Sequence, residues 1–99
     1  MERESNRLIR KMRYAEAEVI LREAIQIMPV PPVLNNLAFC RFSQDDPGEA
    51  FEILQPNLAP EAHEPFAQAL AAQICVALGR RAEAEEYLEG ATREYEAGI

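Results

Sequence analysis

The sequence predicts an all-α protein of about six helices. Apolar residues recur at spacings of three and four along nearly the whole chain, and period-2 alternation with β-branched residues does not occur. Ala, Leu, Glu and Arg, all strong helix formers, dominate the composition. Prolines and glycines then cut the chain into helix-sized pieces.

Residues 2–12 form the first predicted helix, with Leu8, Ile9 and Met12 on its apolar side. The second runs from 14 to about 28, where Ala17, Ile20, Leu21, Ala24, Ile25 and Met28 make one stripe. Pro29, Pro31 and Pro32 end it and start the third, expected over 33–43, because proline suits a first helical turn and not an interior. Asp45 or Asp46 then caps a fourth helix from Pro47 to about 55, which Pro56 stops early. An irregular segment with Pro60 and Pro65 leads into the fifth, about 65–78, closed by Gly79. The sixth spans 81 to about 96, with an apolar stripe of Ala84, Tyr87, Leu88, Ala91 and Tyr95 opposite a glutamate-rich face. That polar face is expected to cap the end of the structure.

Connections this short leave no room for a linker, so residues 1–99 are expected to form one domain. The net charge of −7 argues against nucleic acid as a partner, since phosphate binding needs a basic surface. The charge is graded: residues 1–30 sum to +1, 31–60 to −3 and 61–99 to −5. The longest apolar stretch, ALAAQICVAL at 69–78, is far shorter than a membrane span of about 18 residues. The first residues, MERESNRLIRKMR, have no apolar signal core, so a soluble, cytoplasmic protein is expected. Cys40 and Cys75 form neither a CxxC pair nor a Cys/His cluster, and both fall in apolar helical stretches, where a free thiol behaves as a small hydrophobe.

One register runs through the even-numbered helices: Ala17-x3-Leu21, Ala50-x3-Leu54 and Ala84-x3-Leu88. The interval is nearly constant, and two helices per fixed period of this kind mark a stacked array. The first unit ends Tyr14-x2-Ala17-x3-Leu21-x2-Ala24-Ile25-x3-Pro29; the second carries Leu34-x2-Leu37-Ala38, then Ala50 and Leu54; the third carries Ala71-Ala72-x2-Cys75, Gly79, Ala84, Leu88 and Ala91. On these residues the chain resembles the tetratricopeptide repeat family over essentially its whole length, as three repeats at about 1–30, 31–63 and 64–97. The resemblance implies a right-handed superhelical array of antiparallel helix pairs. Ala17, Ala50 and Ala84 would let paired helices approach closely, and Leu21, Leu54 and Leu88 would fill the next layer of core. Pro56 and Asn57 depart from the pattern, where the family continues its helix through a small residue.

In that family the first helix of each repeat lines a concave groove that holds a partner's peptide or helix. The resemblance therefore implies a groove lined by Arg3, Asn6 and Arg10, then Asn35, Asn36, Phe39 and Phe42, then Phe66 and Gln73. Asn6 and Asn36 match asparagines used by members that clamp a C-terminal carboxylate, but Glu2, Phe66 and Leu70 occupy the positions of the basic residues those members need. What remains is basic at one end and aromatic in the middle, suited to a segment with acidic and apolar residues. No enzyme is expected: His63, between Glu61 and Glu64, is the only histidine, and no cofactor or metal motif accompanies it. The expected role is a non-catalytic protein-interaction adaptor. Alternatives are a small secretion-type chaperone holding an aggregation-prone subunit, or a self-association module.

Overall fold

The computed structural model describes residues 2–98. Among them are six α-helices: α1 (Glu2–Arg10), α2 (Tyr14–Ile27), α3 (Pro31–Ser43), α4 (Pro47–Leu54), α5 (Pro65–Ala77) and α6 (Arg81–Glu96). Each packs on the next in chain order, and α3 also touches α5. The protein is therefore all-α, with a sequential arrangement of helices.

The helix ends follow local chemistry. Val30 is extended, and Pro31 and Pro32 occupy the first turn of α3, so this helix starts at Pro31 rather than at the expected position 33. Asp46 caps α4, its carboxylate accepting from the Glu49 backbone N–H at 3.2 Å. Pro56 removes a donor in the turn after α4, and the chain goes on as two short 3-10 helices, Gln55–Leu58 and Pro60–Ala62.

The turns α1–α2, α3–α4 and α5–α6 have one construction. Met12, Asp45 and Gly79 are all left-handed, with φ of 61°, 65° and 76°. In each turn the next residue's N–H reaches the carbonyl five back (Arg13 to Leu8, Asp46 to Arg41, Arg80 to Cys75), and the left-handed residue's N–H reaches the carbonyl three back. This paired closure ends each odd-numbered helix in the same way. It recurs with the same period as Ala17, Ala50 and Ala84. Met12 thus lies in a turn and is 73% exposed, not on the apolar side of the first helix as expected.

Two buried clusters make the core. Leu8, Ala17, Leu21, Val33, Leu37 and Cys40 join α1, α2 and α3. Ala38, Ala50, Leu54, Ala67, Leu70, Ala71 and Ile74 join α3, α4 and α5. Helix α3 belongs to both, and Ile53 packs against both. Ala17 and Ala50 are wholly buried and Ala84 nearly so, as expected of small residues at close helix crossings.

The sixth helix departs from its expected pattern. Leu88 is 57% exposed and Tyr95 80%, so neither belongs to the core. Helix α6 packs through Ala84 and Ala91, with Tyr87 half-buried and edge-on to Phe51 at 6.1 Å. At Gly90 the helix approaches so closely that a Cβ would lie 2.5 Å from Gln68 Oε1. The polar face of α6, with Glu83, Glu86, Glu89, Arg93 and Glu96 exposed, lies beside exposed apolar side chains, Leu88 and Tyr95.

Candidate functional site

Residues expected to line one groove fall into three places. On α1, Arg3, Asn6 and Arg10 are exposed, and Asn36 Nδ2 of α3 donates to Asn6 Oδ1 at 3.1 Å. That bond brings α1 and α3 together as a polar face. In the middle, Phe39 and Phe42 are half-buried against the α3–α4–α5 core, and the Phe39 ring meets Tyr14 edge-on at 5.8 Å. Both rings serve packing. Phe66, 74% exposed, and Gln73, also exposed, line the outer side of α5, facing α6.

Asn35 does not face a groove. It is 7% exposed, and its Oδ1 accepts from Asn57 Nδ2 at 2.7 Å; the same Nδ2 donates to the Pro31 carbonyl at 2.9 Å. Asn57, at the position where the repeat pattern breaks, thus ties the 3-10 turn after α4 to the start of α3. Asn35 and Asn36 are neighbours in sequence, and only the packing separates an inward from an outward asparagine.

An open apolar groove follows the seam between α5 and α6. Two depressions meet at Ala69 and run its length. Alanines 69, 72, 84 and 91 line it, Ala72, Ala84 and Ala91 being buried, and Phe66, Val76, Leu88 and Tyr95 stand exposed along it. Glu64 and Glu96 border one end, Arg81 and Glu85 the other. Small residues on the floor and large ones on the walls make a groove that a helix can approach closely. The sequence placed Leu88 in the core through the resemblance and Tyr95 on the apolar stripe of the last helix. The signal that could have found the groove is the register: the helix that precedes Leu88 commits its own apolar residues, Leu70 and Ile74, to α4.

His63 closes one end of this groove. Its backbone is left-handed, with φ 47°, and its Nδ1 lies 3.5 Å from Glu94 Oε1 of α6. No group of three or more possible metal-ligating side chains occurs among the described residues. The thiols are poor nucleophiles: burial, then the charge of Glu18, pushes Cys40 up to about 11, and burial, then the charge of Glu83, raises Cys75. No helix among the described residues is long and apolar enough to cross a membrane.

A polar cluster that the sequence did not reveal joins α2, α3 and α4. Arg41 donates to Asp46 Oδ2 at 2.7 Å and to Glu18 Oε1 at 3.1 Å. Gln44 also donates to Glu18, at 2.7 Å, and Arg22 bridges Glu18 and Glu49 at 2.8 and 2.9 Å. Burial alone would raise Glu18, but hydrogen bonds from Arg22, Gln44 and Arg41, with the charge of Arg41, hold it below its usual value. The hydrogen bond from Arg41, then the Glu49 backbone N–H, likewise lowers Asp46. The cluster is a fastening between helices, although the buried Arg41 Nε only faces Glu49 Oε2 at 3.4 Å and makes no hydrogen bond among the described residues. Only the i,i+4 pair Glu18–Arg22 was legible in sequence.

No protein-family model matches this chain, and no curated protein matches it.

Proposed function

We propose that this chain is a three-repeat module of the tetratricopeptide kind, a right-handed superhelical array of helix pairs that binds a helix or peptide of a partner protein without catalysing a reaction. The observation that carries this reading is the exposed apolar groove between α5 and α6, where Phe66, Val76, Leu88 and Tyr95 stand exposed along one seam with a floor of alanines; Met12, Val19, Ile27 and Met28 are exposed too, but line no such groove with them. The three turns of one construction at the family's period support the repeat architecture. The buried, high-pKa thiols, and a lone histidine that lies beside Glu94, support a binding role over a catalytic one.

Two surfaces are available to such a partner, the α5–α6 groove and the polar α1–α3 face with Arg3, Asn6, Arg10 and Asn36. Cross-linked capture from the source cell tests the reading with Phe66→Ser for the first surface and Arg3→Glu with Arg10→Glu for the second. All three positions are exposed, so both variants should keep the helical circular-dichroism signal of the parent. A partner held by the parent and lost from one variant is the expected result. Retention that ignores both variants would refute the reading.

A further inference from the structure

We propose that the α5–α6 groove seats an amphipathic helix of a partner protein, laid on it as α3 lies on α1–α2 and α5 on α3–α4, and carrying basic residues at its flanks. The proposal rests on the interaction-module reading and names its seat and the chemistry of its occupant.

The chain contains its own specification for this occupant. Leu21, Leu54 and Leu88 share one register, yet they are 1%, 0% and 57% exposed. Leu21 shares one buried cluster with Val33, Leu37 and Cys40 of α3, and Leu54 shares the other with Ala67, Leu70, Ala71 and Ile74 of α5, the helices that pack over them. No helix among the described residues covers Leu88 in the same way. The covering residues sit at i, i+4, i+7 in α3 and at i, i+3, i+4, i+7 in α5, so the missing partner is a helix with one narrow apolar stripe. Val76 repeats the contrast, exposed where its counterpart one repeat earlier, Phe42, is half-buried.

Charge selects the flanks. The side chains bordering the groove include Glu64, Glu85 and Glu96 against Arg81, with His63 at one end, and Glu86 and Glu89 extend a mainly acidic surface along α6, where Arg93 also lies. A basic helix is drawn toward such a rim and an acidic one repelled, which sets encounter rate and orientation. The same charges disfavour a second copy of this chain. Groove on groove would oppose acidic rims. The α1 end cannot fill the groove either, since the counterparts of Leu37 and Cys40 one repeat earlier are Glu4 and Arg7, an exposed ion pair at 2.9 Å that burial would desolvate.

The test uses three synthetic helical peptides and fluorescence anisotropy on the full chain. One has apolar residues at i, i+3, i+4 and i+7 with lysine flanks, one has glutamate flanks, and one has the lysines but a scrambled stripe. The lysine peptide should bind and weaken with salt, and the other two should bind at least about tenfold more weakly. Leu88→Glu should weaken the lysine peptide by about thirtyfold or more, as loss of a central apolar anchor does. Leu88 is exposed, so the fold should persist; Val76→Ser, also exposed, gives an independent second reading. Gln26→Ala, exposed on α2 and away from both surfaces, should leave peptide binding unchanged. Equal binding by the scrambled peptide, or indifference to both Leu88→Glu and Val76→Ser, would overturn the proposal. So would light scattering that shows a stable homodimer dissolved by Leu88→Glu, which would make the occupant a second copy. A cellular partner lost only from the Arg3/Arg10 variant would leave the module reading intact and remove this seat.

Discussion

Replacing Asn57 by alanine tests whether the break in the second repeat is held by a specific polar lock. The Asn57 side chain is 3% exposed, and one nitrogen makes both of its bonds, to Asn35 Oδ1 and to the Pro31 carbonyl. Its removal leaves two acceptors without that donor. The Asn35 oxygen is buried and bears the full penalty of an unpaired polar group, about 1–3 kcal/mol. Pro31 is itself exposed, so water recovers part of the second loss. Together with lost packing, Asn57→Ala should cost about 2–4 kcal/mol, a large share of the roughly 5–15 kcal/mol that stabilises a typical domain. Asn35→Ala should cost less, about 1–2 kcal/mol, because Asn57 keeps its bond to Pro31. The double variant should fall short of additivity by about 1 kcal/mol. Urea denaturation followed by circular dichroism supplies all three values, with the slope against denaturant unchanged. A loss below about 1 kcal/mol for Asn57→Ala, or full additivity, would refute the lock. The same cycle separates roles for Asn35: as an internal acceptor it should change stability and leave partner affinity alone.

Met12→Gly should stabilise the protein by about 0.5–1 kcal/mol in thermal or chemical denaturation, because the left-handed backbone at Met12 strains a side chain that packs little. The thiols should react with a disulfide reagent only after unfolding: with Cys40 near 11, its thiolate at pH 8 is about a hundredfold scarcer than that of a free cysteine. Acid should loosen the α2–α3–α4 fastening. Glu18 and Asp46 have folded values below their usual 4.5 and 3.8, so their contribution is present above those values and is lost as the pH falls beneath them. Glu18→Gln should flatten the acid limb of stability measured by urea midpoints, and an unchanged limb would count against the fastening.

The helices were legible because their ends are written locally. Pro31, Pro32, Asp46, Pro47 and Gly79 each act through their own backbone or through a near neighbour in the chain. Met12 was not legible as a left-handed turn residue, since nothing in methionine favours that conformation; packing of Leu8 and Ala17 in one cluster fixes where α1 must stop. Ser5 was overlooked for a different reason. It is wholly buried and lies one repeat before Ala38, so running the register backwards would have identified it as the small residue of the first helix. Asn35 with Asn57 and Arg41 with Glu18 are distant in sequence, and no local pattern encodes such pairs. For the candidate site, the resemblance pointed to Phe66 and Gln73, which both lie exposed on α5, but a sequence stripe does not say whether a neighbour covers it.

That distinction gives the molecule a direction. At one end, α1 turns Glu4 and Arg7 outward and keeps Ser5 and Leu8 within, and Lys11 in the turn that follows is exposed. At the other, α5 and α6 approach closely through small residues, while Phe66, Val76, Leu88 and Tyr95 remain in solvent. Burial of apolar area is what holds a helix in place, and α6 has only Ala84 and Ala91 fully committed, beside a half-buried Tyr87. An occupant that covers Leu88 would supply to α6 what α5 already supplies to α4, so binding is expected to stabilise the last helix on α5.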